Sequence, residues 1–140
     1  MEKKLHVKKV DYFDITIEGN AEEAFALLST FSAIGIGLLA FRATPTNKGK
    51  ARFSLFPNDG TKMIDGARKA GIHLEGPYAA LIITSDSDEP GECADIFRRL
   101  SQQGIHDFEA CGIADIKGSY GVVLYMSGED CDKAWAVLNA

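Results

Sequence analysis

The 140-residue sequence has no apolar stretch long enough to cross a bilayer; its longest, residues 34–41, falls far short of the roughly 20 residues that a membrane helix needs. The opening Met1-Glu2-Lys3-Lys4 leads into no apolar segment of the signal-peptide kind, so a soluble cytoplasmic chain is expected. Cysteine is scarce: Cys93, Cys111 and Cys131 are widely spaced, odd in number and free of any C-x-x-C pair, which argues against a disulfide framework or a thiolate metal site. His6, His73 and His106 lack the spacing of a metal-binding helix, and no metal is expected. Positive charge is in deficit, with a formal net charge of −5, so the overall field repels nucleic acid and anionic membranes. The local exception, Lys3, Lys4, Lys8 and Lys9, fits the solvent face of a strand protected at its edge. No Walker loop and no G-x-S-x-G is present, and no cofactor is expected.

What is present is a repeat. With 46% apolar and 25% charged residues the chain can build a packed core. One ungapped offset superposes Gly35-Ile36 on Gly104-Ile105, Lys48-Gly49 on Lys117-Gly118, and Ala67 on Ala136. It also sets Leu27, Leu28 and Phe31 over Ile96, Phe97 and Leu100, and Leu55 over Leu124. Each half then runs strand, helix, strand, turn, strand, helix. In the first half, residues 12–18 read as a strand, Asn20 as an N-cap, and 21–32 as a helix with Ala24, Leu27, Leu28 and Phe31 on one face. Gly35 stops that helix; 36–44 and 51–56 read as strands around a turn-rich loop, and Asp59 or Thr61 caps a helix ending at Gly71. Residues 72–77 read as a linker.

In the second half, 79–83 form a nearly continuous apolar strand, as expected of a central position. A helix after Asp88-Glu89-Pro90-Gly91 turns Cys93, Ile96, Phe97 and Leu100 inward, with Pro90 at its start and Gly104 at its end. Residues 105–114 and 119–126 read as a hairpin, and 130–138 as a last helix with Trp135 and Leu138 at core spacing. The second half therefore lacks a final strand. Leu5 and Val7 alternate with polar neighbours, so the arm 1–9 is expected to supply it, in this chain or in a partner. The expected division is an arm at 1–9 and units at 10–76 and 77–140.

At Asp88-Glu89-Pro90-Gly91-Glu92-Cys93-Ala94-Asp95-Ile96, followed by Leu100 and Gly104-Ile105, the second half resembles the ACT domain. The first half looks like a diverged copy, with Gly19-Asn20-Ala21-Glu22 where the turn should be. The resemblance implies an α+β fold: two tandem ferredoxin-like βαββαβ units, with antiparallel sheets and helices on one face. It implies a non-catalytic sensor of a small effector, an amino acid, acting as a homo-dimer or higher assembly, with a partner enzyme as a further candidate partner. A helix start offers unpaired N–H groups and partial positive charge to a carboxylate, while Asp86 or Asp88 suits an α-ammonium. The expected ligand-binding residues are Asp86, Ser87, Asp88, Glu89, Pro90, Gly91 and Glu92, with Gly104, Ile105 and Asp107. Gly19, Asn20, Gly35 and Ile36 are their first-half counterparts.

Two other functions compete. An acylphosphatase-like enzyme on the same topology needs an arginine in the loop after the first strand, and that loop has Asn20 but no arginine. Arg98 and Arg99 read as the wet face of the third helix. A ligand-free interaction module, pairing through sheet edges, is the other alternative.

Overall fold

The computed structural model describes residues 5–86, 91–115 and 118–139. Along the chain run β1 (Leu5–Glu18), α1 (Ala21–Ala33), β2 (Leu38–Pro45), β3 (Lys50–Pro57), α2 (Gly60–Ala70) and β4 (Glu75–Ser85). They are followed by α3 (Glu92–Gln102), β5 (Glu109–Ala114), β6 (Tyr120–Tyr125) and α4 (Gly128–Leu138). The chain divides into two compact units, one of Asp11–Tyr78 and the other of Met1–Val10 with Ala79–Ala140. No described helix is long and apolar enough to cross a membrane.

In the unit Asp11–Tyr78, strand neighbours run β2-β3-β1-β4. β1 and β3 are antiparallel, pairing Phe13 with Leu55 and Ile15 with Phe53, and β2 lies antiparallel on the other side of β3. Because side chains alternate across a strand, those four residues point to one face. Leu27 and Phe31 of α1 and Met63 and Ala67 of α2 join them in a single buried cluster, so both helices cover that same face. On the opposite face Ser54 is buried and donates to Asp14 Oδ1 at 2.5 Å. The helix starts are capped as their sequences demand. Asn20 accepts from the Glu23 N–H and Asp59 from the Lys62 N–H, each satisfying a donor with no partner inside the helix.

In the other unit the order is β1-β4-β6-β5, residues 5–10 being its share of β1. β4 is interior, which explains its unbroken apolar run: Ala80 and Leu81 point to opposite faces and both are fully buried. Leu81, Ile83, Val122 and Leu124 from the sheet, Ile96 and Leu100 from α3, and Cys131, Ala134 and Leu138 from α4 make its core, with Leu5 and Val7 packed against it. The arm is thus no separate element. It is the first part of one fourteen-residue strand, continuous with residues 12–18.

The junctions after α1 and α3 are built alike. Gly35 and Gly104 adopt left-handed φ values of 80° and 74°, which a β-carbon disfavours. Each leads into a Schellman closure: Ile36 N–H donates to Phe31 O and Ile105 N–H to Leu100 O, at 3.0 and 3.1 Å. The four positions matched in sequence, Leu27 with Ile96, Phe31 with Leu100, Ile36 with Ile105 and Leu55 with Leu124, are all buried.

Four expectations are corrected. Trp135 is not a core residue; it is 40% exposed, and Lys9 Nζ lies 5.2 Å from its ring centroid. α4 begins after Ser127, whose hydroxyl accepts from the Asp130 N–H, and the stripe it buries is Cys131, Ala134 and Leu138. The Ala67/Ala136 match is consequently fortuitous, since Ala67 is buried and Ala136 exposed. Cys93 is exposed, because the inner stripe of α3 is carried by Ile96 and Leu100. The supposed linker at 72–77 is cut short by β4, which already starts at Glu75.

Candidate functional site

The α3 end of the second unit differs from the other helix starts. Gly91 is its N-cap, at φ 91°, and no side chain caps the first turn, whereas Asn20, Asp59 and Ser127 cap α1, α2 and α4. A glycine supplies this backbone conformation but has no oxygen to offer to the free N–H groups. Among the described residues, nothing lies within 4 Å of where a β-carbon on Gly91 would stand.

Beside it, Glu92 is the centre of a hydrogen-bond cluster. Ser85 Oγ donates to Glu92 Oε1 at 2.5 Å and Tyr120 OH donates to the same oxygen at 2.8 Å. Ser85 and Tyr120 are brought together by the β4–β6 ladder, in which they are directly paired. Ser85 is 2% exposed, so its hydroxyl needs this partner: an unmade bond there costs about 1–3 kcal/mol. Burial, and then the hydrogen bond to Glu92, push the Tyr120 phenol up to about 12. A raised phenol stays protonated in the folded chain after it would ionise in the unfolded one. Its stabilising effect is complete below pH 10 and disappears as pH climbs from about 10 to 12. In an alkaline absorbance titration, Tyr120→Phe should therefore remove a late-ionising tyrosine; loss of an early-ionising one instead would refute the assignment.

The first turn also holds Asp95, but that carboxylate is engaged. Arg99 Nε lies 3.0 Å from Asp95 Oδ2, and Arg98 Nε donates to Asp95 Oδ1 at 3.0 Å. The Arg98 hydrogen bond, foremost, holds the Asp95 carboxyl below its ordinary value. Both arginines are thus accounted for by the helix surface itself. Asp86 is exposed at the end of β4. Ser87, Asp88, Glu89 and Pro90 lie outside the described residues.

The remaining expected site residues are not gathered at this turn within their own unit. Gly104, Ile105 and Asp107 follow the far end of α3, an eleven-residue helix and so roughly 16 Å long. Ile105 points into the core and Gly104 closes the helix, so neither offers a side chain to a ligand; Asp107 is exposed before β5. Gly35 and Ile36 stand likewise at the far end of α1 from Gly19 and Asn20, and Ile36 is buried.

Gly19 and Asn20 do line a cavity of about 420 Å³ between the start of α1 and the β2–β3 hairpin, walled by Ala24, Ala43 and Phe53. Gly19 is there for a structural reason: its N–H donates to Gly49 O at 2.7 Å, and a β-carbon would come within 2.8 Å of that oxygen. The Asn20 side chain is occupied in capping.

Sequence reasoning missed Ser85 and Tyr120. Ser85 follows Ile83 by two and so shares its inward face, but only the β4–β6 register reveals the tyrosine opposite. Among the described residues no group of three or more His, Cys, Asp or Glu side chains is placed to hold a metal ion.

Strands ordered with β1 or β4 interior, and paired helices on one face, define an α+β fold. It is shared with solved structures at low identity. One is protein BT0572 from Bacteroides thetaiotaomicron, at TM-score 0.77 and 18% identity over 98% of this chain and 90% of that one. The aspartokinase alpha and beta subunits match at TM-score 0.65 and 14% identity, over 98% and 95% of the two chains. The regulatory subunit of aspartate kinase from Thermus thermophilus, in ligand-free form, matches at TM-score 0.62 and 14% identity, over 96% and 94%. No protein-family model matches the sequence, and no curated protein matches it.

Proposed function

We propose that this chain is a non-catalytic regulatory protein of two ACT-like βαββαβ units that responds to an amino acid. The division is 10–76 and 77–140, with the arm 1–9 serving as fourth strand of the second unit. The observation that carries the reading is the start of α3: alone among the four described α-helices its N-cap residue offers no side-chain cap, and the Ser85–Glu92–Tyr120 cluster adjoins it. An α-carboxylate would take the N–H groups of the first turn, where the helix dipole favours negative charge. Glu92 and Asp86 would receive the ammonium. The shared fold of aspartate kinase regulatory subunits supports an amino acid as the effector class.

Equilibrium dialysis against a panel of amino acids tests it. At least one should bind more tightly than about 1 mM, worth about −4 kcal/mol, and Glu92→Gln should weaken it. If nothing in the panel is retained at that affinity, the reading fails.

The other reading, an interaction module, is favoured by one feature. β5 ends the strand order and every residue of it is exposed, including Ile113 at 81%. Such an edge accepts a strand from another chain, whether a second copy or a partner enzyme. Stable pairing without any effector would favour that reading over the sensor.

A further inference from the structure

The unit Asp11–Tyr78 contains a second hollow that the proposed sensor site does not use. It has a volume of about 430 Å³ and lies between α1 and the segment joining α2 to β4. The sequence leaves this space open. Gly71 turns the chain at the end of α2, and Ile72 N–H closes on Ala67 O at 2.9 Å, carrying the Ile72 side chain down against the core. Ala26 of α1 and Ala70 of α2 present only methyl groups to the gap, so neither helix fills it. The floor, including Leu27 and Ile72, is apolar.

The rim has the opposite character. Glu23, His73 and Glu75 line it, and its lining residues include no lysine and no arginine. Some exposed carboxylates on this chain are matched by cations: Glu18 by Lys50, Asp65 by Arg68 and Lys69, and Asp95 by Arg98 and Arg99. Neither Glu23 nor Glu75 has an ion pair with any described residue. The dipole of α1 would favour Glu22 and Glu23 equally, yet only Glu23 lines the hollow. Two carboxylates without an ion pair to any described residue, set beside an apolar floor, complement an organic cation.

We infer that this cleft binds a small alkylammonium ion, its hydrocarbon body on Leu27 and Ile72 and its charge between Glu23 and Glu75. The volume lies within the range of small-molecule sites, and a charge-assisted hydrogen bond at each carboxylate would fix the orientation.

A ¹H–¹⁵N NMR titration of the whole chain with 1,4-diaminobutane tests the inference, with neutral 1,4-butanediol as control. Saturable shifts are expected at amides 15–17, 23–30 and 70–75 with the diamine and not with the diol. The E23Q/E75Q variant should weaken binding ~2- to 30-fold, the range of two exposed charge pairs. Ala26→Leu, which fills the hollow without altering charge, should abolish the saturable shifts. Shifts that do not saturate, that spread over the acidic surface, or that persist unchanged in either variant would overturn the inference. The start of α3 reports through other amides, around residues 85–95, so this site and the proposed sensor site succeed or fail separately.

Discussion

Removal of residues 1–9 is expected to lower stability by roughly 3–5 kcal/mol and to shift the denaturant midpoint accordingly. The segment contributes in three ways. Leu5 and Val7 pack against the core of Leu81, Leu124 and their neighbours, and each partly buried side chain contributes about 1–2 kcal/mol. β1 is a hydrogen-bonded neighbour of β4, and each ladder bond contributes about 1 kcal/mol net. Lys9, which is 3.2 Å from Asp132 and lies over Trp135, adds least, because exposed pairs and exposed cation–π contacts contribute at most about 1 kcal/mol each. The strand and its two apolar side chains therefore outweigh the lysine. Lys9→Ala should accordingly reproduce only a small part of the loss. Equal midpoints for the shortened and full chains in urea would show that the segment does not complete this unit.

Phe31→Ala is expected to cost about 3–5 kcal/mol, the usual range for a large aromatic removed from a closed core. The side chain is 1% exposed and sits among Leu27, Ile36 and Met63, at the last inward position before the Gly35 turn. Its backbone carbonyl would still accept from Ile36, so the helix closure persists while the cavity beneath it opens. Phe25, on the same helix, is the internal control: at 72% exposed, its replacement by alanine should change stability by no more than about 0.5 kcal/mol. Comparable losses for the two phenylalanines in chemical denaturation would mean that the inner face of α1 is wrongly assigned.

The order of elements was legible in the sequence because it rests on local chemistry. Asn20 and Asp59 cap helices because their oxygens reach backbone N–H groups three residues on, and that geometry needs nothing from the rest of the chain. The repeated burial of Leu27 and Ile96, and of Leu55 and Leu124, follows from apolar spacing in the same way.

What depended on the exact start of a helix or on distant strands was not legible. Periodicity alone permits either Ala134 or Trp135 to face inward. The choice was settled by where α4 starts, which a Ser127 cap fixes two residues before the expected boundary. The Glu92 cluster needed the pairing of Ser85 with Tyr120, and no local rule foretells a cross-strand register. For Gly35 and Gly104, the helix-ending role read from their position is the one they play.

The pairing of β1 with β4 also bears on how the chain is made. Lys9 and Asp132 meet across 123 residues of sequence, so one of the two compact units is assembled from segments that leave the ribosome well apart in time. The continuous stretch from Asp11 to Tyr78 has all its own segments early. The discontinuous one cannot complete its core until α4 emerges, and closing so long a loop is an entropic delay. Joining residue 140 to residue 1 and reopening the chain near Tyr78 would turn that late encounter into a local one, and should speed its refolding.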